Sequence, residues 1–334
     1  MQRMDLRKYN LSTKQIDQAK KFIVSRKLLY QPFIITDELE VGEGKNYHDG
    51  YSKPTANVYW PDAPPEMRDL CTDDLQHFRN CNADYRALYD HFIECVVRSL
   101  GGDVSRRAFA ELGCNAGYFL HGLGVHGAKA CYGFDFTENT EVFEWFNRFL
   151  GTRSKFQFAE WDSLKHRLRY ARMPIVDVVL CSAFLNHVSD PTFCLAFLCD
   201  HAREAVFIWT PLSRHREQSC PMPHWESDSV LSFGQPSYHP NALEWPLCFN
   251  FNLRFSEPFL KLCLQLAGFE DIREVPCPPV SARWGEIYST FKAFLAFRTK
   301  SKTSALSGGK AIRDLPGDVR KSTLFLKRLV RSVT

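Results

Sequence analysis

The chain has 334 residues and a mass of 38.6 kDa, with 45% hydrophobic and 14% aromatic residues, enough to bury a full globular core. Collagen-like, disordered and mini-protein classes are excluded. The 42 Lys and Arg against 38 Asp and Glu leave a formal +4, far from the balance of a dedicated nucleic-acid binder.

The opening MQRMDLRKYN lacks an apolar leader-like core, and no apolar run approaches the roughly 18 residues of a membrane span. A soluble, cytoplasmic protein is therefore expected. The twelve cysteines are scattered without a CxxC pair, which reads as free thiols acting as small hydrophobes.

In chain order, residues 1–104 read as helical pieces joined by an irregular polar stretch, a helical or lid region. Ser12 is placed to cap a helix on which Ile16, Ala19 and Ile23 share a face. The run YHDGYSKPTANVYWPDAPP (47–65) is rich in turn formers and aromatics, and helical patterns follow over about 65–79 and 83–100, stopped by Gly101 and Gly102.

Residues 105–298 alternate apolar runs (AFAEL, ACYGFDF, KFQFA, PIVDVVLCS, AVFIWT, FEDIREV and FKAFLAFR) with amphipathic helical patterns between most of them. This predicts an α/β domain with a mostly parallel sheet covered on both faces. The connection 211–257 is too long for an ordinary loop and carries Trp225, Phe233, Tyr238, Trp245, Phe249 and Phe251, which reads as a substrate lid or as cover for the sheet edge. The aromatic group Tyr47, Tyr51, Tyr59 and Trp60 has the same two readings.

From Lys300 on, nine basic residues face two Asp, so this tail carries +7 and the rest of the chain −3. The tail, 299–334, reads either as a helix docked on its own domain or as a basic partner contact, with Leu326, Leu329 and Val333 on one stripe.

The chemistry is carried by the first strand, which runs into Glu111-Leu112-Gly113-Cys114-Asn115-Ala116-Gly117 before a helical pattern. A glycine-rich turn between a parallel strand and a helix is a ligand site. Asp135 ends the second strand 22 residues after Gly113, where a carboxylate can accept from two ribose hydroxyls. A dinucleotide fingerprint needs a second glycine where Asn115 stands, so the pattern is acidic-x-Gly-x-x-x-Gly instead.

With that motif, and with GFDFTE, EWDSL, CSAFLNHVSDP and FLKLCLQLAGFEDI following in order, residues 105–298 resemble the class I S-adenosylmethionine-dependent methyltransferases. There is a weaker resemblance to the group that modifies wobble uridine in tRNA. The resemblance implies a Rossmann-like fold with a seven-stranded sheet whose last strand is antiparallel, and S-adenosylmethionine as cofactor. It also implies cofactor contacts from Glu111, Gly113, Asn115 and Gly117 around the methionine part, Asp135 at the ribose, Trp161 and Asp162 at the adenine, and Ser182 at the end of the fourth strand. Asp162 reads equally as a turn acid.

Cys181-Ser182-Ala183-Phe184 stands where amino-group methyltransferases commonly show Asn/Asp-Pro-Pro-aromatic, which disfavours that type of N-methylation. No cysteine is placed as a ring nucleophile and no metal is expected. His187 follows the fourth strand and, with an ordinary pKa of about 6.5, suits a general base; it reads equally as a loop-shaping histidine. His215, His224 and His239 are rivals.

The expected activity is O-methylation of a small organic, specialised-metabolite acceptor. The alternatives are a tRNA- or RNA-modifying methyltransferase, a non-catalytic scaffold and, disfavoured by Asn115, a nicotinamide dehydrogenase.

Overall fold

The computed structural model describes residues 4–44, 56–72, 74–188, 190–212, 222–223, 253–278 and 290–299. Most of the 211–257 insertion, the residues Tyr47 and Tyr51, and the tail beyond 299 lie outside the described residues.

In chain order come α1 (Thr13–Val24), β1 (Phe33–Thr36), β2 (Leu39–Gly44), β3 (Ala56–Tyr59), α2 (Leu75–Ser99), β4 (Ala108–Leu112), α3 (Tyr118–Val125), β5 (Ala130–Asp135), α4 (Thr140–Leu150), β6 (Ser154–Phe158) and the hairpin β7 (Glu160–Asp162) with β8 (Arg167–Arg169). Then follow β9 (Val176–Ser182), α5 (Pro191–His201), β10 (Ala202–Pro211), the short pair β11 (Met222–Pro223) and β12 (Leu253–Arg254), α6 (Glu257–Leu266), β13 (Phe269–Val275) and β14 (Phe291–Arg298).

Seven strands form one sheet in the order β13-β14-β10-β9-β4-β5-β6. β10, β9, β4, β5 and β6 run parallel, and β14 is antiparallel to β10. Each of the seven apolar runs read from the sequence supplies one of these strands. The chain moves outward from β4 through β5 to β6, then returns to lay β9 on the other side of β4. This reversal opens a crevice at the carboxyl ends of β4 and β9, the place where open α/β sheets bind ligands.

The period-2 alternation of the strands divides the core. Phe109, Val178, Leu180, Phe207 and Leu295 point to the face covered by α2, α3, α4 and the N-terminal region. Ala110, Leu112, Val179, Ile208 and Phe294 point to the face covered by α5 and α6.

The N-terminal region departs from the helical expectation. Ser12 does cap α1, in a capping box with Gln15, and Ala19 and Ile23 are buried. Between the helices, however, β1, β2 and β3 form a three-stranded antiparallel sheet. These strands are short and separated by turn formers, so they carry too little alternation to register in the sequence.

The two helical patterns of 65–79 and 83–100 resolve into a 3-10 turn at Pro65–Leu70 and the single long helix α2. Weak helix formers at Asn80 and Asn82 do not break it, because Asn82 is fully buried and its amide donates to Glu40 Oε1 (3.0 Å) and to Val41 O (3.2 Å) of β2. Arg86 adds a buried ion pair to the same carboxylate at 2.7 Å. The core of the N-terminal region is continuous with that of the sheet.

Among the described residues, no helix is long and apolar enough to cross a membrane.

Candidate functional site

The turn after β4 passes three times through the left-handed region, at Gly113 (φ 77°), Asn115 (φ 49°) and Gly117 (φ 82°). Glycine accepts this conformation without steric cost, and Asn is among the few other residues enriched there. Gly113 is also required by space. A Cβ there would lie 2.5 Å from the ring of Phe184, which reaches across from the end of β9.

Backbone bonds fix the turn. Gly113 N and Cys114 N donate to Phe134 O at 2.8 and 3.3 Å, and Gly117 N donates to Cys114 O at 2.8 Å. Asn115 N donates to Asp135 Oδ2 (2.8 Å), while Asn139 Nδ2 donates to Asn115 O (3.0 Å).

Two buried acids flank the turn. Asp135, the last residue of β5, also accepts Thr137 N on Oδ1 at 2.9 Å. Burial pushes its carboxyl above the ordinary range, against the lowering effect of hydrogen bonds from Thr137, Asn115 and Phe136. Glu111, on β4, is 1% exposed. Burial raises its carboxyl well above the ordinary range, the Ser182 hydroxyl pulls the other way, and the charge of Asp135 adds to the rise. Neither acid forms an ion pair among the described residues. Among the described residues, Glu111 Oε2, Asn139 Oδ1 and Asn186 Oδ1 are buried without a hydrogen-bond partner, which leaves this edge of the sheet with polar groups to satisfy.

On the far side, Trp161 and Asp162 lie on β7. Trp161 donates its indole N–H to Asp190 Oδ1 (2.7 Å), and Asp190 Oδ2 pairs with His166 Nδ1 (2.7 Å), whose ring stacks on Phe193 at 3.8 Å. Asp162 Oδ1 accepts Leu164 N and Lys165 N, both at 3.1 Å, so it does hold a turn. His187 is exposed on the short 3-10 turn Leu185–His187, with Asn186 Nδ2 3.3 Å from its Nε2.

Strand order thus brings Glu111, Gly113, Asn115, Gly117, Asp135 and Ser182 to one edge, with Trp161 and Asp162 following β6 and His187 following β9. Sequence reasoning missed Gln31, whose amide reaches this turn from the N-terminal region, as well as Asn139, Phe184 and the role of Asp190 in joining Trp161 to His166. Single polar or aromatic residues outside a motif leave no signal.

A family model described as a methyltransferase domain matches residues 86–274, more than half of the chain. The chain belongs to the methyltransferase family that this model describes. No curated protein matches it.

Among solved structures, it is similar to magnesium protoporphyrin IX methyltransferase from Synechocystis PCC 6803 with bound S-adenosylhomocysteine (16% identity, 65% of this chain and 87% of that one, TM-score 0.43). It is also similar to the N-terminal domain of EvdMO1 in the presence of S-adenosylhomocysteine and D-fucose (16%, 64% and 83%, 0.45), and to an O-methyltransferase family protein from Burkholderia thailandensis (13%, 66% and 61%, 0.40). The methyltransferase family and the strand order agree on the fold; the acceptor is a separate question.

Proposed function

We propose that this methyltransferase transfers the methyl group to a hydroxyl oxygen of a small organic acceptor. The observation that carries the cofactor placement is the pair of buried acids, Glu111 and Asp135, which have no basic partner among the described residues. Such a site favours a ligand with cationic groups and disfavours a pyrophosphate. Glu111 and the 113–117 turn would hold the methionine part, Asp135 the ribose diol, and Trp161, Asp162 and Ser182 the remaining edge. Bound there, S-adenosylmethionine supplies an electrophilic methyl group on a sulfonium.

The remaining work is to orient the acceptor and take its proton. His187 would receive that proton on a ring nitrogen, with Asn186 orienting the ring. Cys181 is 1% exposed and burial raises its thiol far above the ordinary range, which speaks for direct transfer over a cysteine-linked intermediate. In this reading residues 1–104 brace the site and 105–298 carry the chemistry.

An RNA acceptor has one feature in its favour. Lys165, Arg167 and Arg172 are exposed around the β7–β8 hairpin, beside a Tyr170 that is 67% exposed.

Titration calorimetry with S-adenosylmethionine, S-adenosylhomocysteine and NAD tests the cofactor site: binding of the first two alone is expected, and binding of NAD would overturn the placement. Transfer of labelled methyl to hydroxylated small molecules is expected next. Labelling confined to amines would remove the oxygen assignment, and labelling of tRNA with strong salt dependence would replace the small acceptor.

A further inference from the structure

We infer that Gln31 is a positioning residue for the cofactor turn, so that the N-terminal region is a working part of the site. The inference rests on the reading that the 113–117 turn holds S-adenosylmethionine.

The reason lies in what the turn lacks. α3 begins at Tyr118 with Gly117 in the N-cap position, and glycine has no side chain to satisfy the helix's first N–H groups. Gln31, 87 residues upstream, supplies the cap. Its Oε1 accepts Tyr118 N at 3.1 Å, while its Nε2 donates to Cys114 O at 3.1 Å. One side chain, 7% exposed, therefore clamps the start of the helix to the middle of the turn.

The chemistry selects an amide. The two partners are one donor and one acceptor, and glutamine offers both at the end of one flexible stem. A carboxylate would set an acceptor against Cys114 O, and an apolar side chain would leave Tyr118 N unmet and Cys114 O with Gly117 N alone.

The segment carrying Gln31 is held firmly. Leu28, Leu29 and Phe33 are at most 1% exposed, and the Phe33 ring packs 5.3 Å from that of Tyr118 and 4.9 Å from that of Phe146. Phe33 N donates to Gln31 O at 3.0 Å, and Tyr30, just before, takes a left-handed φ of 67°. Tyr118, the capped residue, is tied to α2 by its hydroxyl, which donates to Asp90 at 3.1 Å. The clamp thus joins the N-terminal segment, the turn and α2.

The test is S-adenosylhomocysteine binding by the full-length protein and its variants. Gln31→Leu is expected to weaken binding about tenfold or more, the loss of two buried hydrogen bonds that shape the turn. Leu264→Ala, buried on the opposite sheet face, serves as the control for stability alone. If it lowers the melting temperature as much and weakens binding as much, positioning is overturned.

Gln31→Glu provides a second readout that does not depend on Gln31→Leu folding. Protonated, its carboxyl has one O–H donor and one C=O acceptor and can replace the amide; ionised, it cannot. The ratio of variant to parent Kd should be about tenfold near pH 8.5 and fall toward one as pH is lowered through the titration of the new carboxyl. Glu111, Asp135, Asp90 and Arg86 are common to both proteins, so the ratio isolates the new carboxyl. A ratio that does not change with pH overturns the clamp. Absence of binding by the parent overturns the cofactor reading and this inference with it. Tight binding by the parent and an unaffected Gln31→Leu overturn this inference alone.

Discussion

Replacing Glu111 by Gln keeps the shape of a side chain that is 1% exposed and removes its ability to ionise beside a second buried acid, Asp135. Two opposite effects should follow. In the ligand-free protein the folded carboxyl titrates above its ordinary value of 4.5. Between that value and the folded pKa, the folded state holds a proton that the unfolded state has lost, so stability falls as pH rises through the window. Each unit of separation costs about 1.4 kcal/mol at pH above both values, or about 2–4 °C in melting temperature for a domain of this size. The Glu111→Gln variant should therefore melt above the parent at neutral pH, with the difference fading below about pH 4.

Cofactor binding should move the other way. A carboxylate facing the methionine ammonium makes a charge-assisted hydrogen bond worth about 1.5–3 kcal/mol, so the variant should bind S-adenosylmethionine roughly 10- to 150-fold more weakly. Because the cation lowers the carboxyl pKa, binding to the parent should release a proton. Calorimetry at a series of pH values upward from about 4.5, in two buffers of different ionisation enthalpy at each, reads that release, and the variant should show less of it. Binding within twofold of the parent would remove Glu111 from the methionine end. A ligand-free melting curve that tracks the parent at every pH would refute the argument from buried charge.

Asp135→Asn should weaken S-adenosylmethionine about tenfold, because an amide cannot accept at both positions; unchanged calorimetric affinity would take the ribose contact away from Asp135. Gly113→Ala should cost about 1–2 kcal/mol for its left-handed φ of 77°, and more for the Cβ driven into Phe184, with cofactor binding lost at the same time. Adding Phe184→Ala should restore part of the stability in chemical denaturation, and purely additive effects would deny the contact. His187→Ala should lower kcat about a hundredfold or more while leaving cofactor Kd unchanged. A turnover equal to the parent's across roughly pH 6–9 would remove it as the base.

The sheet was legible because each of its strands is a buried apolar run whose identity survives in composition alone, and because the turn at 111–117 must spell its backbone conformation in glycines. β1 to β3 were not, since Val41 and Val58 are buried in strands too short and too broken to show a period. The break expected near residue 80 failed for a related reason: Asn82 weakens a helix by propensity, yet its buried bonds to Glu40 and Val41 hold α2 intact, and only tertiary structure reveals those partners. Gln31 illustrates the limit most clearly. A glutamine between Tyr30 and Pro32 has no local pattern, and its role exists only because Phe33 docks against Tyr118.

The same turn bears on the choice between a dinucleotide and a sulfonium cofactor more sharply than the missing glycine does. A pyrophosphate is bound by unoccupied N–H groups at the turn and the helix start. Here Gly113 N and Cys114 N are given to Phe134 O, Gly117 N to Cys114 O, Asn115 N to Asp135 and Tyr118 N to Gln31. These five backbone donors are spent within the protein, and what faces the crevice instead is a pair of acids. A dianionic ligand would lose its own hydration, gain few of these donors and meet like charge. A cationic one would relieve the buried acids that the ligand-free protein carries at a cost. NAD should therefore fail to bind even at low salt, where attraction to the protein's overall positive charge is least screened. Measurable NAD affinity that survives Asp135→Asn would show that the turn opens its donors to phosphate, and the assignment of the acids to a cation would fall.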